Sequence, residues 1–135
     1  SKIGCTVLFL LITCMAFAQN NNQQPQIKRY WFVMLLAGPD RTQDSASAAK
    51  IQEGHMSNMT KMHQMGKLKV AGPFGDNGPW RGIFILDCET QEEAEKLVKE
   101  DPAIISGRLS YEIHPWYTMP TGSFSPGKPN PAKTE

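Results

Sequence analysis

Tyr30 to Ala37 is an unbroken apolar run of strand length, rich in aromatics, and Gly38-Pro39-Asp40 stops it. The period then lengthens. Ile51, His55, Met59 and Met62 recur at spacings of four, four and three, which predicts a helix from about Ser45 to Met65 with Gly66 placed to close it. Lys67 to Phe74 returns to strand character, Asp76-Asn77-Gly78-Pro79 is a turn, and Trp80 to Cys88 is a third strand. Thr90 followed three residues on by Glu93 is a capping-box signature for a second helix running to about Glu100, where Pro102 blocks its continuation. Asp101-Pro102-Ala103 leading to Gly107 reads as a short helix, and Leu109 to Tyr117 is the last strand. The order β-α-β-β-α-β is that of a ferredoxin-like split βαβ fold with an antiparallel sheet, of the α+β class.

The strands are apolar on both faces. Tyr30, Phe32, Met34 and Leu36 fall on one side of the first strand, with Trp31, Val33, Leu35 and Ala37 on the other; Phe84 and Leu86 likewise oppose Ile83 and Ile85. Two helices cover one face of a four-stranded sheet, so the second face calls for a partner. A homodimer packed sheet against sheet is the simplest expectation.

The ends of the chain change the picture in a different way. Residues 1–18 read as a secretory signal, with Lys2 ahead of the apolar run Val7 to Phe17 and Ala16-Phe17-Ala18 before polar Gln19. The expectation is a periplasmic or secreted protein with no membrane association after cleavage. Lipidation at Cys14 is the rival reading, but Thr13 is larger than the residue such a signal usually carries before its cysteine. Residues 19–26 are Asn/Gln-rich and read as a flexible spacer. Residues 118–135, with Pro120, Pro126, Pro129 and Pro131 among glycines, read as a loose tail. The domain is therefore expected over residues 27–117.

Removing Lys2 brings the 14 Lys+Arg of the chain to parity with its 13 Asp+Glu, and a neutral domain argues against a nucleic-acid partner. Of three cysteines, Cys5 and Cys14 fall in the signal and Cys88 alone remains, so no internal disulfide is expected. Cys88 lies between Asp87 and Glu89, which disfavour its thiolate.

Few residues are left to carry chemistry. His55 lies on the apolar stripe of the first helix, and Gly54 beside it is roughly 1 kcal/mol worse than alanine in mid-helix, a sign of close approach by backbone or ligand. A histidine so placed is most simply a core-edge residue with its nitrogens satisfied. Asp101 is explained by helix capping alone; the functional alternative is that its carboxylate also holds a histidine ring in one tautomer. His114 alternates with Glu112 and Trp116 on the expected dimer face, where it either lines a pocket or satisfies an interface group. Arg81, beside Trp80, either binds an anionic substrate or is solvated. Met56, Met59 and His63 share a helix face and are ligands suited to Cu(I), although one helix rarely closes a coordination shell. Asn58-Met59-Thr60 matches a glycosylation sequon inside a predicted helix. The chain has no Gly-rich phosphate loop, paired metal-ligand motif or serine nucleophile elbow.

The chain resembles the YCII-related family of small α+β proteins. The residues that carry the likeness are His55 eleven positions ahead of Gly66, then Leu68 and Ala71-Gly72-Pro73-Phe74, Arg81-Gly82-Ile83-Phe84, Asp101-Pro102 with Gly107-Arg108-Leu109, and the closing His114-Pro115-Trp116-Tyr117. The resemblance implies a dimeric α+β barrel with a site at His55 and Asp101, and acid-base chemistry on small cyclic or phenolic molecules. One relative removes chloride from a hydroquinone. The secretion signal and the Met-rich helix depart from the family pattern.

The expectation is a homodimer with one pocket per protomer that takes a small molecule without cofactor or metal. His55 serves as general base or acid, Asp101 orients it, Gly72, Pro73 and Phe74 shape the wall, and Arg81 and His114 contact substrate. A non-catalytic binder and, further off, a copper-binding protein are the alternatives.

Overall fold

The computed structural model describes residues 27–119. The expected signal over residues 1–18 with Cys14, the spacer over 19–26 and, apart from Thr118 and Met119, the tail lie outside the described residues.

The elements follow in the expected order: β1 (Arg29–Ala37), α1 (Ser45–Gln64), β2 (Leu68–Pro73), β3 (Trp80–Leu86), α2 (Gln91–Lys99), α3 (Pro102–Ile105) and β4 (Leu109–Tyr117). The four strands form one sheet of order β2-β3-β1-β4 in which every pairing is antiparallel. Local chemistry sets the boundaries. Gly66 and Lys67 donate back to His63 and Met62 at 2.9 and 3.0 Å, a Schellman closure of α1. Thr90 Oγ1 accepts from the Glu93 N–H at 3.1 Å, while the Glu93 carboxylate accepts from Glu89 N–H, one residue short of the expected capping box.

Both long helices pack on one face of the sheet. Trp31, Val33 and Leu35 of β1 and Phe84 and Leu86 of β3 meet Met62 of α1 and Leu97 and Val98 of α2 in a single core. Cys88 closes one end of that core, buried, with its carbonyl accepting from Trp31 Nε1 at 3.0 Å. Burial, reinforced by the Glu93 charge, pushes its thiol up to about 11. The stripe of α1 that goes inside is His55, Asn58 and Met62. Asn58 therefore lies buried with its amide 3.5 Å from the Leu97 carbonyl, and its sequon is not presented at the surface.

The other sheet face carries Tyr30, Phe32, Met34 and Leu36, all half-buried within the protomer, and exposes Trp116 opposite Tyr30.

Candidate functional site

His55 projects from the middle of α1 and Asp101 caps α3, and the fold presses these two elements together. A methyl group placed on Gly54 would come within 2.7 Å of Pro102 Cγ. The helix-weakening glycine is thus explained by close approach: it lets the Pro102 ring lie against α1, one residue from both His55 and Asp101. The bare backbone brings in the carboxylate.

Asp101 has no exposed surface, and both of its oxygens are used. Oδ1 accepts from the Ala103 N–H at 2.9 Å, which is the helix cap. Oδ2 accepts from His55 Nδ1–H at 2.6 Å. The capping role and the histidine contact therefore coexist, because a carboxylate has two oxygens and each role needs one. The His55 ring lies against Phe84 at a centroid distance of 5.9 Å and an angle of 23°, and its side chain is 11% exposed. With Nδ1 committed to Asp101, Nε2 is the nitrogen left for a proton, and among the described residues no group hydrogen-bonds to it.

The ring opens onto a cleft of about 560 Å³ between α1, the β2–β3 edge and the α3–β4 turn. Such a volume suits a small organic molecule. Leu35, Ile51, Met56, Met59 and Phe84 give it an apolar wall, and Gly72 and Pro73 line it from the edge strand. Arg81 reaches it through a β-bulge. Leu35 pairs with Gly82 and Leu36 with Trp80, so Arg81 is the extra residue, and it lines the cleft with Gly82 and Ile83.

Two expected residues are elsewhere. Phe74 lies one residue past β2, 40% exposed, with its ring 6.0 Å from that of Trp80, and does not line the cleft. His114 sits on the open sheet face opposite Phe32 in register, exposed, 3.4 Å from Glu112 and away from the cleft, because strand alternation turns it from the helices. Within one protomer neither can touch a molecule bound beside His55.

Two cleft residues were not expected. Arg108 starts the turn into β4, and Arg41 stands in the loop after β1, donating from Nη1 to the Arg108 carbonyl at 2.6 Å. Arg108 falls inside the Gly107-Arg108-Leu109 segment that carried the family likeness, whereas nothing local marks Arg41. Burial, then the neighbouring Arg108 and Arg81 charges, holds the Arg41 guanidinium below its ordinary value.

Met56, Met59 and His63 line a shallow groove that adjoins the cleft along β2, as their helical spacing requires. Met62 is in the core and cannot join them. Among the described residues no group of three or more His, Cys, Asp or Glu is placed to hold a metal, and no helix is long and apolar enough to cross a membrane.

A four-stranded antiparallel sheet covered on one face by two long helices, with a histidine-carboxylate pair at the sheet-helix junction, defines a small-molecule-sized cleft in a ferredoxin-like α+β protein. The chain belongs to the YCII-related domain family, which matches residues 31–117. It is 29% identical over 63 residues, 47% of this chain and 72% of the other, to the uncharacterized protein YjpA of Bacillus subtilis strain 168. Muconolactone isomerase has a similar fold, with a TM-score of 0.55 and 12% identity over 73% of this chain and 99% of that one. A 5-chloro-2-hydroxyhydroquinone dehydrochlorinase from Burkholderia phenoliruptrix AC1100, in complex with 2,5-dihydroxybenzoquinone, aligns with a TM-score of 0.48 and 17% identity over 64% of this chain and 92% of that one.

Proposed function

We propose that the protein moves a proton on a small cyclic or phenolic molecule held in the cleft, with His55 Nε2 as the base or acid and Asp101 as the positioning residue. The observation that carries this reading is the 2.6 Å bond from His55 Nδ1–H to a fully buried carboxylate, at the wall of a cleft of suitable size. A carboxylate on Nδ1 fixes the tautomer, steadies the ring and stabilises the imidazolium that proton abstraction creates. Phe84 against the ring keeps one side of it dry.

Exchange with solvent tests the proton transfer without requiring that the net reaction be identified. Small lactones and hydroquinones incubated with the protein in deuterium oxide should lose C–H signal in the NMR spectrum faster than in buffer, and His55→Gln should abolish the difference. Saturable binding with no exchange on any of them would instead make the domain a non-catalytic binder.

The assembly that completes this reading is a homodimer through the open sheet face, supported by the apolar side chains of β1 left there without a covering layer. Sedimentation equilibrium should return twice the protomer mass; a monomer would remove the dimer and leave the cleft chemistry standing.

A further inference from the structure

Three guanidinium groups share the cleft with His55, and none has an acidic partner among the described residues. Arg41, Arg81 and Arg108 all line it. Their hydrogen bonds within the protein go to neutral acceptors: Arg41 Nη1 to the Arg108 carbonyl at 2.6 Å, Arg81 Nη1 to the Gly78 carbonyl at 3.4 Å, and Arg108 Nη1 to Gln43 Oε1 at 3.0 Å. A guanidinium has five donors, so most of theirs remain for a ligand. Asp87, Glu100, Glu93 and Glu95 are paired elsewhere, with Lys28, Lys61, Lys67 and Lys99. Asp101 has no exposed surface, and no Asp or Glu is among the cleft-lining residues.

Holding three permanent positive charges around one concavity is unfavourable unless something offsets them. Burial first, and then the Arg108 and Arg81 charges, hold Arg41 below its ordinary value. The fold nonetheless brings them together: Arg81 lies at the β-bulge on the cleft, and the backbone bonds Gly38 N–H to Arg108 O (2.9 Å) and Asp40 N–H to Gly107 O (3.0 Å) bring the Arg41 loop against the Arg108 turn. The same cleft has an apolar lining of Leu35, Ile51, Met59 and Phe84. A bare phosphate would leave that wall unfilled; a carboxylate on a small ring uses both halves.

We propose that the cleft is an organic carboxylate site, in which Arg81, Arg41 and Arg108 grip the carboxylate, the apolar wall takes the ring, and the reacting C–H faces His55. This deepens the acid-base reading and rests on it for the identity of the reacting group. The arginines are specificity residues whose planar forks match a carboxylate in a way a lysine would not.

Calorimetry with three probes tests it: sodium benzoate, its neutral isostere benzamide, and inorganic phosphate. Benzoate should bind saturably and about tenfold or more tighter than benzamide, and should weaken as salt is added. Arg81→Gln should cost benzoate about tenfold or more while leaving benzamide alone, with Arg108→Gln as the second variant should the first misfold. Equal affinities for benzoate and benzamide, or indifference of benzoate to both arginine variants, would overturn the proposal; phosphate binding more tightly than benzoate would overturn the carboxylate assignment. The two readings fail differently. Benzoate binding retained in His55→Gln, with no proton exchange on any carboxylate substrate, sinks the acid-base chemistry and keeps the anion site. Exchange confined to neutral substrates and untouched by Arg81→Gln does the reverse.

Discussion

His55→Gln should lower the rate of catalysed proton exchange by about 10²–10⁴-fold, the range a positioned acid-base group contributes. Gln is close in size and can still donate to Asp101, so the buried carboxylate keeps a partner and the fold should survive. Asp101→Asn is the more incisive change. Asn caps a helix as well as Asp does, so its side-chain oxygen can keep the Ala103 N–H bond. The group then facing His55 Nδ1 is an NH₂ donor, which forces the imidazole into the other tautomer, with its proton on Nε2. The base is lost although every atom is nearly in place, and the rate should fall by a factor approaching that of His55→Gln. Since the two residues act as one unit, the double variant should be little worse than either single one. Exchange rates of the three variants, with thermal melts alongside, check this. Full activity in Asp101→Asn would reduce Asp101 to a helix cap.

Gly38→Ala should be the most destabilising single methyl group in the domain. Its Cβ would fall 2.1 Å from the Gly107 carbonyl oxygen and 2.8 Å from the Arg108 carbonyl carbon. Both neighbours are backbone and cannot swing aside as a side chain does. Both are also held in place, by the Gly38–Arg108 and Asp40–Gly107 bonds and by the adjoining Ala37–Leu109 pair at the end of the β1–β4 ladder. Relief requires parting that end of the sheet, a loss on the order of 3 kcal/mol from overpacking and broken bonds together. For a domain of this size that is roughly a 12–24 °C fall in the melting midpoint. Gly72→Ala is the matched control, because its Cβ position meets nothing within 4 Å. Calorimetric melts of both variants decide the matter, and an unchanged midpoint for Gly38→Ala would refute the account of this junction. Since Arg41 also donates to the Arg108 carbonyl, the substitution should weaken anion binding in whatever fraction stays folded.

Secondary structure was legible because its signals are local. The expected β4, Leu109 to Tyr117, coincides with the observed strand; Gly66 closes α1, Thr90 and Asp101 cap their helices, and the apolar faces of β1 sort as their alternation requires. The six-element order then leaves one small antiparallel topology as the natural solution, and both its strand order and the common helical face follow. The His55 and Asp101 residue types were readable as candidates for the same reason, each being unusual for its position.

Sequence alone thus determined the elements and the fold class, and marked His55 and Asp101 as candidate residues. Tertiary structure decided what those side chains meet. His55 and Asp101 are 46 positions apart, and their contact depends on α1 and α3 packing closely enough that Gly54 touches Pro102, which no periodicity encodes. Arg81 lines the cleft from a bulged end of β3, and Arg41 reaches it because its loop is bonded to the turn before β4. Phe74 and His114, attractive by sequence neighbourhood, were carried out of the cleft by a strand end and by strand parity. The division has one cause: helix and strand patterns are written within a few residues of chain, whereas a site is made where distant segments are forced together by packing.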